Sequence, residues 1–118
     1  MGIYFKETEF KCPCCGKVSL NENLIPTLDR IRGMYGKPMY ITSGYRCPEH
    51  NAEVGGKPSS AHLTGEAADI SCVSDRDRFN LIYAAITSGI NRIGISSKFI
   101  HIDISESLPQ NVLWLYGA

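Results

Sequence analysis

With 118 residues, 12 of them basic and 12 acidic, the chain has room for one hydrophobic core and not for two. Its formal charge of zero provides no bulk field toward nucleic acid or an anionic membrane surface, so binding is expected to be local and pocket-based. No apolar run reaches the roughly 18 residues of a membrane span, and residues 1–7, MGIYFKE, lack the basic start and apolar core of a signal peptide.

Residues 1–20 have little periodicity but hold three of the five cysteines, in Cys12-Pro13-Cys14-Cys15-Gly16-Lys17. A Cys-x-x-Cys-Gly knuckle often binds zinc, and Cys47-Pro48-Glu49-His50 offers the other half of a structural site made of Cys12, Cys15, Cys47 and His50. Free thiols in a reducing compartment, or a disulfide such as Cys14 to Cys47 formed after release, are the alternatives. Cys72 follows an apolar stretch and reads as buried and inert.

From Asn21 the pattern turns helical: Leu24, Ile25, Leu28, Ile31 and Met34 form an apolar stripe at three- and four-residue steps. Pro26 fits the first turn, and Gly36 with Lys37-Pro38 stops the helix. Met39-Tyr40-Ile41-Thr42 reads as a strand leading into Ser43-Gly44-Tyr45-Arg46. An Arg at a strand end, beside a Gly that lets the backbone turn, is placed to reach into a cleft. Its guanidinium suits a carboxylate through two parallel hydrogen bonds, while the plainer reading is a surface ion pair. Pro48 to Val54 predicts a short helix, followed by a loop at 55–60 whose glycines permit close approach to a bound peptide. Ser60 stands two positions before His62, where it can hydrogen-bond substrate or orient a ligand.

The stretch from Ser59 to Ile70 sets His62 and Asp69 seven positions apart among small and apolar residues. A third donor comes from Phe99-Ile100-His101-Ile102-Asp103-Ile104, whose alternation predicts a half-buried strand. Two His and one Asp, with a fourth corner open to water, form the donor set of a catalytic zinc site. The plainer alternative is a satisfied core histidine and an Asp that ends a strand. Between the two segments, Ser74 caps a helix with Asp77 at the third position, Phe79, Ile82, Tyr83, Ile86 and Ala85 face inward, and Gly89 ends it. Residues 91–95 make a strand, Ser96-Ser97-Lys98 turns it, and 99–104 returns antiparallel. On that last strand His101, Asp103 and Phe99 share one face, and Ile100, Ile102 and Ile104 point into the core. Asp103 lies about 6.5 to 7 Å along the strand from His101, a distance for orienting a ligand. In the tail, Trp114 is expected to pack on the domain edge, with stacking on glycan as the alternative. The order α, β, α, β, β predicts an α+β fold: a single small domain over 1–118, with a mainly antiparallel sheet, helices on one face and the site on the other.

Three motifs, Ser43-Gly44-Tyr45-Arg46, Ser60-x-His62-x-x-Gly65-x-Ala67-x-Asp69 and His101-x-Asp103, together resemble the signature of zinc peptidases that cut bacterial peptidoglycan. That superfamily includes D-alanyl-D-alanine carboxypeptidases, phage L-alanyl-D-glutamate endolysins and murein endopeptidases, with the Hedgehog signalling domain as a distant relative. The resemblance runs from about Phe10 to Trp114. It implies a zinc ion on His62, Asp69 and His101, hydrolysis by water activated at that metal, and Arg46 beside a substrate carboxylate, helped by Ser60. It implies a peptidoglycan peptide as partner, with no nucleic acid or membrane and a monomeric state. In the carboxypeptidase and endolysin branches an Asp or Glu stands three positions before the last His. Here that position is Lys98, which leaves the general base open, with Asp103 the nearest carboxylate in sequence. The competing reading is an inactive, zinc-holding wall-binding or phage structural module. Without a signal peptide, the chain is expected to be made in the cytoplasm and to act at the wall or periplasm after release, as a phage protein freed through a holin does. A domain cut from a longer secreted precursor reads the same way.

Overall fold

A computed structural model describes residues 4–116. The predicted apolar stripe winds into α1 (Leu24–Tyr35), burying Leu24, Ile25, Leu28 and Ile31. Gly36 ends it with φ 79°, its N–H bonded to the Arg32 carbonyl; only glycine adopts that left-handed geometry without cost. Met34, expected on the same stripe, is 49% exposed. Tyr35, one full turn beyond Ile31, packs against the core in its place.

The short helix α2 (Pro48–Glu53) starts as predicted, with proline in its first turn and Cys47 as cap. Helix α3 (Asp75–Thr87) is capped by Ser74, whose hydroxyl accepts the Asp77 N–H at 3.1 Å. Its inward face differs from the one predicted. Leu81, Ala84 and Ala85 are buried, Ile82 is half-buried, and Phe79, Tyr83 and Ile86 lie exposed. The two alanines let α3 come close to α1 and the sheet, which a face of bulky aromatics does not allow. Phe79 and Tyr83 instead stack on each other, with ring centroids 6.4 Å apart and planes 14° from parallel. Large apolar side chains marked the helix but not its buried face.

Five strands follow in chain order: β1 (Ile41–Ser43), β2 (Ala67–Ser71), β3 (Arg92–Ile95), β4 (Phe99–Asp103) and β5 (Val112–Leu115). They form one sheet of order β1-β2-β4-β3-β5. Neighbours run antiparallel except β3 and β5, which are parallel, so the sheet is mixed and the α+β class holds. Because side chains alternate along a strand, β2 and β4 sort their residues cleanly between two faces. Ala68, Ile70, Ile100 and Ile102 are fully buried in the core shared with Leu28 and Leu81 of the helices. Asp69 and His101, direct Cα partners across the ladder, turn to the opposite face. Strand β5 was read only as an apolar tail. Asn111, at φ 59°, makes the turn into it, a conformation Asn tolerates better than most residues. Among the described residues no helix is long and apolar enough to cross a membrane.

Candidate metal centre

The centre is assembled from two strands and a tight turn. Asp69 comes from β2 and His101 from β4, each 5% exposed or less. His62 comes from the segment before β2, where Gly65 has φ 70° and where any Cβ would collide with the Ser19 backbone. Only a glycine lets that turn press onto the chain at Ser19-Leu20 and aim the imidazole under the sheet.

The hydrogen bonds fix how each ring is turned. His62 Nδ1 lies 2.7 Å from the Gly44 carbonyl. A carbonyl only accepts, so Nδ1 carries a proton, and Nε2 faces Asp69 Oδ1 at 3.2 Å. His101 lies between two carboxylates, with Nε2 2.7 Å from Asp103 Oδ2 and Nδ1 2.9 Å from the same Asp69 oxygen; a cation at Asp69 would take the Nδ1 lone pair and leave the proton on Nε2, facing Asp103. Asp103 is itself held by Arg92 Nε at 2.6 Å and by the Ser105 N–H at 3.2 Å. An acceptor behind each imidazole, fixing its tautomer and angle, is the support that metal-ligating histidines need.

The donor atoms of His62, Asp69 and His101 all lie within 4.8 Å of one another. Zinc bonds of about 2.0 to 2.1 Å in a tetrahedron put neighbouring donors roughly 3.3 Å apart, close to the 3.2 and 2.9 Å separations observed. The set therefore fits zinc in chemistry and in spacing. Burial works to raise the Asp69 pKa, but the hydrogen bonds from His101 and His62 outweigh it and hold the carboxyl well below its usual range. Burial opposes the ionised form of Asp103 as well, and His101 and Arg92 overcome it and lower its pKa. For His101, burial disfavours the cation, yet Asp103 and Asp69 raise its pKa. Two buried carboxylates thus stay ionised, and the centre is built to receive positive charge.

Arg46 flanks the centre. Its Nη2 reaches Asp69 Oδ2 at 3.4 Å, Nε bonds Ser43 Oγ at 3.1 Å, and Nη1 bonds the buried Asn51 Oδ1 at 3.2 Å. Those contacts use three of the five guanidinium N–H groups and leave one on each terminal nitrogen. Ser60 Oγ accepts the His62 N–H at 3.2 Å, so it orients the turn that carries the ligand. Lys98 is exposed in the β3–β4 turn. Glu66 accepts the Thr64 hydroxyl at 2.6 Å. The His50 ring pairs with Glu53 at 3.6 Å. The expected cysteine quartet is therefore corrected: Cys12, Cys14 and Cys47 come together, and Cys15 and His50 do not join them. Cys72 is buried, as predicted.

Arg92, Gly94 and β5 carry parts that the sequence reading missed. Gly94 is the direct partner of His101, and a Cβ there would lie 2.5 Å from Trp114 Nε1 and 2.6 Å from the Tyr116 ring. The glycine makes room for an aromatic wall: the Trp114 ring centroid is 5.2 Å from that of His101, and Tyr116 follows at 6.4 Å. Arg92 sits 5.1 Å from the Trp114 ring centroid while it holds Asp103. Trp114 thus lies at an edge, as expected, but on a strand of the sheet and beside the site. A charged residue alternating with isoleucines in Arg92-Ile93-Gly94-Ile95 was the available signal, since Arg is seldom buried without a partner.

A family model described as Peptidase M15 matches residues 3–103, a span that takes in all three donors, Arg46, Arg92 and Asp103 but not β5. No curated protein matches the chain.

Proposed function

The chain belongs to the peptidase M15 family, whose members are zinc peptidases of the D-Ala-D-Ala carboxypeptidase type, and from that premise we propose that it hydrolyses peptide bonds in peptidoglycan stem peptides or cross-links. His62 Nε2, the Asp69 carboxylate and His101 Nδ1 would hold one zinc. The observation that carries this reading is the convergence of two buried imidazole nitrogens on one Asp69 carboxylate oxygen, with an acceptor behind each ring. When bound, zinc lowers the pKa of water and polarises a carbonyl.

The remaining work falls to the chain. Asp103 has one oxygen on His101 and the other on Arg92 and Ser105, so it acts as a positioning residue and not as the general base. Arg46 steadies Asp69 and offers its two remaining N–H groups, one on each terminal nitrogen, to a substrate carboxylate. Ser60 sets the His62 turn. Trp114 and Tyr116 form an apolar flank on which a peptide rests.

The test is release of new amino termini from purified peptidoglycan, abolished by a chelator and restored by zinc, with mass spectrometry of the muropeptides naming the bond. A folded, zinc-loaded protein that binds wall but releases nothing across pH would overturn the enzyme reading and leave a binding module.

A further inference from the structure

We infer that Cys12, Cys14 and Cys47 hold a second, structural zinc through their thiolates, with a water as the fourth donor. The inference rests on a different set of residues from the peptidase reading and stands or falls separately.

Spacing decides between a metal and a disulfide. Cys47 Sγ lies 3.6 Å from Cys12 Sγ and 3.9 Å from Cys14 Sγ, and all three sulfurs are within 4.8 Å of one another. Zinc–sulfur bonds of about 2.3 Å arranged tetrahedrally put sulfurs roughly 3.8 Å apart, whereas a disulfide needs about 2.05 Å and joins only two of the three. The backbone is shaped for the same task. Gly16, at φ 73°, closes a turn in which its N–H bonds the Cys12 carbonyl at 2.8 Å, and the Cys12 N–H bonds the Lys17 carbonyl at 2.8 Å. The facing segment points backbone N–H groups at sulfur: Cys12 Sγ accepts from Cys47 N at 3.5 Å, and Cys47 Sγ from His50 N at 3.5 Å.

On binding, each thiol that ligates the metal would release its proton to solvent, and no electron is transferred.

Such a metal would brace the first centre. Cys47 follows Arg46 directly, the Gly44 carbonyl fixes His62, and the Tyr45 N–H bonds the Phe10 carbonyl at 2.9 Å. A clamp between residues 12–14 and Cys47 therefore holds together the backbone that orients both His62 and Arg46.

Metal analysis and cobalt substitution of the intact protein test this. The expected result is two zinc ions per chain and, with cobalt, the near-ultraviolet charge-transfer absorption that only thiolate ligands give. His62→Ala combined with His101→Ala should keep one metal and that absorption. Cys14→Ser, at an exposed position, should lose the absorption and one metal while keeping the other. A single metal with no thiolate absorption in the parent protein, or a Cys12–Cys47 disulfide found by mass spectrometry in protein purified under reducing conditions, would overturn it and leave the peptidase reading intact. A single metal with thiolate absorption would support it and sink the His62–Asp69–His101 site instead.

Discussion

At Asp69 one atom serves two rings: Oδ1 faces both His62 Nε2 and His101 Nδ1. Asp69→Asn keeps the shape and removes the charge that holds a dication, so zinc affinity at the first centre should fall at least tenfold, about 1.4 kcal/mol. A zinc titration of the two proteins side by side checks it, and equal affinities would reduce Asp69 to a strand-end carboxylate. Arg92 allows a complementary test, since it touches none of the three donors. In Arg92→Lys the charge survives but the geometry that reaches Asp103 and the Pro109 carbonyl together is lost. Zinc affinity is expected to drop by roughly 10- to 100-fold through a looser His101, with His62 and Asp69 unchanged in sequence. That His62, Asp69 and His101 come together was legible because each sits inside a local pattern of small residues or alternation. Arg92 and Gly94 were not, because their roles depend on which strand lies beside β4, and a single strand does not encode its neighbour.

Elements were legible where the signal was local and illegible where it depended on approach. The α3 cap is one side chain and one N–H three positions on, and it was read correctly. Removing it in Ser74→Ala should cost about 1 kcal/mol, seen as a lower denaturation midpoint with an unchanged denaturant slope. The buried face of α3 is set instead by how near the helix comes to α1 and β4, and there side-chain size misled. Paired substitutions distinguish the two faces: Leu81→Ala should cost about 2 to 5 kcal/mol, as for other fully buried leucines, and Phe79→Ala should stay within about 0.5 kcal/mol. The opposite ranking in equilibrium unfolding would restore the face predicted from sequence. Strand β5 escaped notice for a related reason. Its parallel pairing with β3 follows from a connection across the sheet edge, and apolar residues alone do not distinguish an edge strand from a packed tail.

For the whole molecule, metal and fold are linked through the chain segments each centre joins. The first centre ties β2 and β4 to the turn at His62, and the cysteine cluster ties the N-terminal turn to the segment before α2. Neither set of donors is preassembled in the unfolded chain, so metal bound to the folded form adds to stability by mass action. At free zinc one hundredfold above the dissociation constant, a site contributes about 2.7 kcal/mol. In a domain of this size that corresponds to a rise in melting temperature on the order of 10 °C. Removing metal with a chelator should therefore lower the melting temperature by that order for each occupied site, and restoring zinc should recover it. The two sites should differ in what loosens. Loss of the first metal, in His62→Ala combined with His101→Ala, should raise hydrogen exchange at residues 60–66 while residues 11–17 stay protected. Loss of the cysteine metal, in Cys14→Ser, should raise exchange at 11–17 and carry it to Tyr45 and Arg46, whose N–H groups bond the Phe10 and His62 carbonyls. If chelation leaves both the melting temperature and the exchange pattern unchanged in protein first shown to contain metal, these centres are not linked to folding, and the stability must come from the isoleucine and leucine core between the sheet and α1 and α3 alone.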